Sequence, residues 1–207
     1  MDTIFDHRRS LRLPDYDYSQ EGAYFVTICT YNRRPLFGEI LAGEMHLNAT
    51  GRVAAAQWLL LANRFTNLEL GEWVIMPNHI HGILVITSRG EASPTKLSVP
   101  TNPLVKDASP LRPKGTSPGS VGAIIQNFKS VTSRKINTHS ITTGKGEASE
   151  PYIPFKKHSN DASPLLIWQR NYYEHIIRDE QDLQSITDYI LANPLNWDKD
   201  EENNTLY

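Results

Sequence analysis

The 207-residue chain carries 21 basic and 23 acidic residues, a formal net charge of −2 and a pI near 6.4, so its overall charge does not single it out as a nucleic-acid binder. That balance hides an asymmetry, because Asp198-Lys-Asp-Glu-Glu202 alone carries −3 and leaves +1 on the rest of the chain. The single Cys29 excludes an internal disulfide framework and a cysteine-type zinc site, and there is neither an N-terminal apolar leader nor an apolar run of about 18 residues, so the expectation is one soluble, cytoplasmic domain with no membrane partner.

In chain order, His7-Arg-Arg-Ser-Leu-Arg12 reads as a basic, extended arm, either a solvated terminus or a phosphate-contacting segment. Ala23 to Thr30 is rich in β-branched and aromatic residues and nearly continuous in apolarity, which predicts a buried strand ending in the cationic turn Asn32-Arg33-Arg34-Pro35. Leu36 to Leu41 and Glu44 to Leu47, split by Ala42-Gly43, predict a small hairpin. The period then changes. From Thr50 as the expected cap, Ala54, Trp58, Leu61 and Phe65 fall on one helical stripe, read as ordinary core packing.

Leu68 to Met76 and His79 to Ile86 predict two consecutive strands joined at Pro77-Asn78, apolar enough on both faces to form a central pair. Alternation places His79 and His81 on one face with Ile83 and Val85, and Ile80, Gly82, Leu84 and Ile86 on the other. Two neutral imidazoles one residue apart can hold a divalent ion and leave positions open for substrate. The competing reading of any His-x-His pair is structural, but buried polar side chains still need partners.

Beyond Ser88 the composition collapses into Pro, Ser, Thr, Gly and Lys. Residues 89–119 and 139–163 lack any sustained period, and their echoing fragments, such as Lys106-Asp-Ala-Ser-Pro110 and Asn160-Asp-Ala-Ser-Pro164, are irregularly spaced. Both stretches are expected to be disordered insertions looping out of a single 1–207 domain. Between them, Ser120 caps a predicted helix to Asn137, with Val121, Ile124, Ile125, Phe128 and Val131 or Thr132 inward. Lys129, Arg134 and Lys135 lie on its flank, either solvated or touching a nucleic-acid backbone. Trp168 to Arg178 returns to strand character. Asp179 then caps a last helix, with Leu183, Ile186 and Ile190 inward, that stops at Pro194. Tyr189 and Asn193 lie about 40° apart on its flank, so a phenol and an amide stand side by side. Spacing alone equally describes a packed aromatic with its hydroxyl at the surface.

Several of these segments together resemble the tyrosine transposases of the IS200-like type, and within them the REP-associated tyrosine transposases. They are His7-Arg-Arg-Ser10, Ala23-Tyr-Phe-Val-Thr-Ile28, Trp73-Val-Ile-Met-Pro-Asn-His-Ile-His-Gly82, Trp168-Gln-Arg170 and Tyr189-Ile-Leu-Ala-Asn-Pro194. The resemblance implies an α+β, ferredoxin-like antiparallel sheet flanked by helices, and the chemistry of a histidine-hydrophobe-histidine nuclease. His79 and His81 would bind Mg²⁺ or Mn²⁺, and Tyr189 would be the nucleophile. Asn193 would stand at the third ligand position, where the wider IS200 group often has Gln. The implied reaction cleaves and rejoins single-stranded or hairpin DNA through a 5′-phosphotyrosine. The DNA backbone would follow Arg8, Arg9, Arg12, Arg33, Arg34, Lys129, Arg134 and Lys135, with the protein acting as a monomer or homodimer.

Two rivals stand beside this reading: a non-cleaving DNA-binding protein of the same fold, and a metal-dependent phosphodiesterase that uses water. Tyr172 and Tyr173 are alternative nucleophiles, and as strand neighbours only one of them could face the histidines. Deleting residues 89–119 and 139–163 together is expected to leave a cooperatively melting domain; loss of the transition in a thermal melt would show that one of these stretches carries core structure.

Overall fold

The apolar run from Ala23 to Cys29 forms the strand against which the rest of the fold is laid. The structure, a computed structural model, describes residues 16–87, 117–142, 164–200 and 202–203, with 139–142 in backbone only. Arg8, Arg9, Arg12 and most of both expected insertions lie outside the described residues. Strand β1 (Gly22–Cys29) pairs antiparallel with β5 (His79–Ile86) on one side and β6 (Tyr173–Ile177) on the other, and β4 (Leu68–Ile75) adds antiparallel to β5. The sheet order is therefore β4-β5-β1-β6. Helices α1 (Ala49–Leu59) and α2 (Leu61–Arg64) connect β1 to β4, and α3 (Val121–Thr142) connects β5 to β6. A β-α-β-β-α-β chain in this strand order is the ferredoxin-like arrangement expected from the sequence. Between β1 and α1, β2 (Gly38–Leu41) and β3 (Glu44–Leu47) make the separate hairpin.

Strand alternation divides the core in two. Tyr24, Val26 and Ile28 of β1 with Ile80, Leu84 and Ile86 of β5 meet Ala54, Trp58 and Leu61, and Val121, Ile124, Ile125 and Phe128 of α3. On the opposite face Ala23, Phe25, Ile83 and Val85 meet Leu183, Ile186 and Ile190 of α4 (Glu180–Ala192). Covered on both faces, β5 is buried at all its positions, which explains why it is apolar apart from His79 and His81. Gly82 is required there: a Cβ at this position would overlap the Trp58 ring, so the missing side chain lets α1 seat its largest residue on the strand.

The structure corrects several boundaries. The α1 cap is Asn48, whose Oδ1 accepts from Gly51 N at 2.9 Å while its Nδ2 donates to Leu36 O at 3.1 Å; Thr50 lies inside the helix. The stripe expected in one helix breaks at Leu60, and Phe65 is extended rather than helical. Of the pair read as central, β4 is an edge strand. The α3 backbone continues to Thr142, beyond the expected end at Asn137, and of its two candidate inward residues Thr132 is fully buried. Only Tyr173–Ile177 of the last strand region is sheet, with Trp168 reaching Thr30 by an isolated bridge. As expected, the last α-helix ends before Pro194; what the sequence did not show is that the chain continues as a 3-10 segment, Pro194–Lys199.

The caps at Ser120 and Asp179 are as expected: Ser120 Oγ accepts from Ala123 N at 3.3 Å, and Asp179 Oδ1 from Asp182 N at 2.8 Å. Gly82→Val should cost about 1–3 kcal/mol of stability by overpacking against Trp58, read in urea denaturation. A wild-type midpoint would mean that the ring has room to move.

Candidate metal and nucleophile site

The site begins at the turn between β4 and β5. Its backbone is pinned from three directions: Thr30 N donates to Asn78 O at 2.8 Å, Phe37 N to Pro77 O at 3.0 Å, and Met76 N to His79 O at 2.9 Å. This fixes where β5 starts and hence which way its first residues point. His79 lies opposite Cys29, and His81 opposite Thr27. Both imidazoles are buried, at 0% and 2% exposure, on the face that α4 covers.

Each ring is oriented by a specific partner. Asn78 Nδ2 donates to Arg33 O at 3.2 Å and to Glu202 O at 2.6 Å, so its Oδ1 must be the atom 2.8 Å from His79 Nδ1. An amide oxygen only accepts. His79 Nδ1 therefore carries the proton, and its Nε2 turns a lone pair into the site. His81 Nδ1 lies 2.8 Å from Thr27 Oγ1, and the two Nε2 atoms are 2.9 Å apart. In the neutral pair, His81 can donate from Nε2 to His79. If the Thr27 hydroxyl instead accepts from Nδ1, both lone pairs converge on one point, the arrangement of a metal-binding imidazole pair with outer hydrogen-bond partners. Burial pushes His81 down to about 3, and burial together with the neighbouring His81 and Arg33 holds His79 well below the usual imidazole range. Both rings stay in the neutral form that ligates.

A third donor comes from a segment that the sequence reading treated only as an acidic run. Asp200 Oδ2 lies 3.8 Å from His79 Nε2, its side chain is 3% exposed, and His79, His81 and Asp200 can place ligand atoms within 4.8 Å of one another. Glu202 beside it forms an ion pair with Arg33 and accepts from Cys29 Sγ at 3.3 Å. The donor set fits a divalent ion: two imidazole nitrogens 2.9 Å apart would supply the borderline-soft ligands, and the carboxylate would add a hard oxygen.

Tyr189 reaches this cluster. Its Oη is 3.2 Å from His81 Nε2, with the ring edge-on to Phe25 at 6.1 Å. Of the alternatives, Tyr173 lies in register with Thr27 on the same face as His81, and its phenol is pushed up by burial and by Asp182. Tyr172 packs on the other face under the Lys129 ammonium, 5.7 Å from its ring centre. Asn193 is buried at the C-terminal end of α4, one turn from Tyr189, and its Oδ1 has no hydrogen-bond partner among the described residues.

The expected DNA-contacting cations fall into two groups. Arg33 is ion-paired to Glu202; Arg34 donates from Nη2 to Leu166 O at 2.6 Å and from Nε to Tyr31 O at 3.2 Å. Lys129 donates to Gln169 O at 2.9 Å and Asn171 O at 2.8 Å, and burial pulls its ammonium down to about 8. Arg134 and Lys135 are exposed on α3. No described helix is long and apolar enough to cross a membrane.

No family model matches the chain. An uncharacterized protein of Haemophilus influenzae is 37% identical to it over 195 residues, spanning 94% of this chain and 92% of that one. Among solved structures it is similar to a REP-associated tyrosine transposase bound to a REP hairpin, with a TM-score of 0.47 and 18% identity over 94% of this chain and 74% of that chain.

In isothermal titration with Mn²⁺, His79→Ala and His81→Ala should each abolish binding, and Asn78→Ala should weaken it about 10- to 100-fold by releasing the His79 tautomer. Unchanged affinity in either histidine variant would place the ion elsewhere.

Proposed function

The chain belongs to one family with the Haemophilus influenzae protein, and from that premise and the site geometry we propose that it is a metal-dependent single-strand DNA nuclease and strand transferase of the tyrosine-transposase type. The observation that carries the reading is the meeting of Tyr189 Oη with His81 Nε2 at 3.2 Å, where His81 Nε2 also lies 2.9 Å from His79 Nε2. The joint presence of the Met-Pro-Asn-His-Ile-His block and the Tyr-x-x-x-Asn-Pro helix supports it independently.

In this reading His79 and His81 hold the ion, Asp200 and Asn193 are the candidates for its remaining protein ligands, and Asn78 and Thr27 set the two ring tautomers. When bound, a divalent cation supplies Lewis-acid polarisation of the scissile phosphate. Tyr189 supplies the nucleophile. Its Oη forms a bond to phosphorus and the bond from phosphorus to the 3′ oxygen breaks; the phenol gives up one proton and the departing 3′ oxygen takes one. The product is a 5′-phosphotyrosine and a free 3′-hydroxyl. Because the phosphodiester is conserved in that linkage, attack by a 3′-hydroxyl rejoins the strand without a nucleotide cofactor. Exposed Arg134 and Lys135, with the basic segment Arg8, Arg9 and Arg12, would contact substrate phosphates. Arg33, Arg34 and Lys129 could join them only at the expense of internal hydrogen bonds. The low-complexity segments are read as insertions in a single catalytic domain.

One observation favours a second reading. The carboxylate of Asp200 beside His79 gives the two-histidine, one-carboxylate donor set of an ion that activates water, and such a phosphodiesterase would cut without a protein-bound intermediate. One experiment separates the two. The full-length protein incubated with labelled hairpin DNA bearing a single-stranded flank and Mn²⁺ should give a denaturant-resistant adduct that Tyr189→Phe abolishes while folding and Mn²⁺ binding persist. Cutting without an adduct selects the water reading. An adduct mapped to Tyr173 by peptide sequencing removes Tyr189 from its role.

A further inference from the structure

Where β1 ends, the loop Tyr31 to Arg34 takes a backbone conformation that L residues avoid. Asn32 and Arg33 are consecutive and both left-handed, with φ of 54° and 52°. Residues held this way are unfavourable and persist only where their surroundings over-determine them. Here they are over-determined. Arg33 N donates to Thr30 O at 3.0 Å, Thr30 Oγ1 to Arg34 O at 2.7 Å, and Asn78 Nδ2 to Arg33 O at 3.2 Å. Tyr31 N donates to Ile167 O at 2.8 Å. The loop is thus clamped through Asn78, the residue that orients His79.

What this rigid loop presents is an aromatic ring in solvent. Tyr31 is 39% exposed, the Arg34 guanidinium lies 5.6 Å over its ring, and Leu166 beside it is 60% exposed. Arg34 is itself held by its bonds to Tyr31 O and Leu166 O. A ring backed by a cation on a pre-ordered backbone needs little further ordering to accept a flat partner, and the guanidinium adds positive charge where a phosphate would accompany that partner. The core gains little from a tyrosine so placed.

We propose that Tyr31 is a stacking platform for one unpaired base of single-stranded DNA next to the cleavage site, with Arg34 bracing the ring. The inference rests on the DNA-cleaving reading above and adds to it the group that holds a base rather than a phosphate. Paired bases in a duplex are stacked on their neighbours and cannot offer a face, so the platform selects unpaired substrate.

The test uses the full-length protein, with and without Tyr31→Ala, and a labelled single-stranded oligonucleotide read by fluorescence anisotropy at fixed salt. A companion set of oligonucleotides carries one abasic site moved along the strand. Tyr31→Ala should weaken binding by about five- to 150-fold, Tyr31→Phe by less than about twofold, and neither should alter duplex binding. One abasic position should weaken binding to the wild type yet leave binding to Tyr31→Ala unchanged, a coupling that mere loss of loop structure would not produce. Wild-type affinity in Tyr31→Ala, or a deficit the same at every abasic position, overturns the platform. If the wild type also forms the Tyr189 adduct, the nuclease reading survives that failure. If the wild type neither binds the oligonucleotide nor forms the adduct, both readings fall.

Discussion

Two imidazoles buried on a central strand are the constraint around which the described structure is arranged. A neutral imidazole has two nitrogens to satisfy, and neither ring is accessible to water, so every partner must be built in. On one side the solution is local: Thr27 lies directly across β1 and β5 from His81. For His79 the partner is Asn78, whose oxygen faces the ring only because its nitrogen is committed to carbonyls of Arg33 and Glu202. That commitment draws the positive-φ loop after β1 and a segment 124 residues further along the chain into one hydrogen-bonded cluster. Tautomer, loop strain and placement of the C-terminal segment are thus consequences of one buried ring.

The cations show how chemistry that looks alike in sequence separates in space. Arg33, Arg34 and Lys129 read as a backbone-following series, yet each is engaged within the protein. Lys129 spans from α3 to the carbonyls of Gln169 and Asn171, orphaned where the chain enters β6 without a sheet partner. A long stem with an ammonium at its end can lie along apolar surface and still reach two acceptors, so the residue type is the same whether it holds a loop or a phosphate. Arg134 and Lys135, close by on the same helix, face solvent because their positions fall outside the apolar stripe.

Much of this was legible beforehand where one periodicity governs. The strands at Ala23 to Cys29 and His79 to Ile86, the two-faced division of β5 and the inward residues of α3 and α4 follow from period 2 or 3.6, and the sheet confirms them. What escaped depends on contacts distant in sequence. Thr50 and Asn48 are both good caps by type; Asn48 wins because its amide also reaches Leu36 O from the neighbouring hairpin. Asp200 was invisible as a ligand because it sits among four acids in five residues, a pattern that ordinarily means a solvated segment. Only the 3-10 turn from Pro194 to Lys199 brings it back over β5. Asn78 carried a faint signal, since an amide in the turn before a buried histidine is well placed to bond its ring.

The parts of the site are held by unlike forces. The histidines ride on β5, which β1 pairs along its whole length and β4 on either side of a bulge between Leu70 and Trp73, and Tyr189 is fixed by the packing of Leu183, Ile186 and Ile190 on Phe25, Ile83 and Val85, contacts dense enough to set a phenol oxygen against an imidazole nitrogen. Asp200 arrives differently. Its segment is held by polar contacts, among them Asn78 to Glu202 O, Arg33 to the Glu202 carboxylate and Glu202 N to Asp200 Oδ1 at 2.6 Å. These contacts are themselves largely withdrawn from solvent, with Asp200 3% exposed and the Arg33 and Glu202 side chains 14% and 16%, so water does not readily replace them. The histidines and tyrosine therefore take their geometry from the folded core, whereas the carboxylate takes its place from the same hydrogen bonds that orient Asn78 and, through it, the His79 ring. A donor set built this way joins a nitrogen pair set by strand pairing to an oxygen set by side-chain hydrogen bonds, so a change in the C-terminal segment reaches the His79 ring as well as the carboxylate.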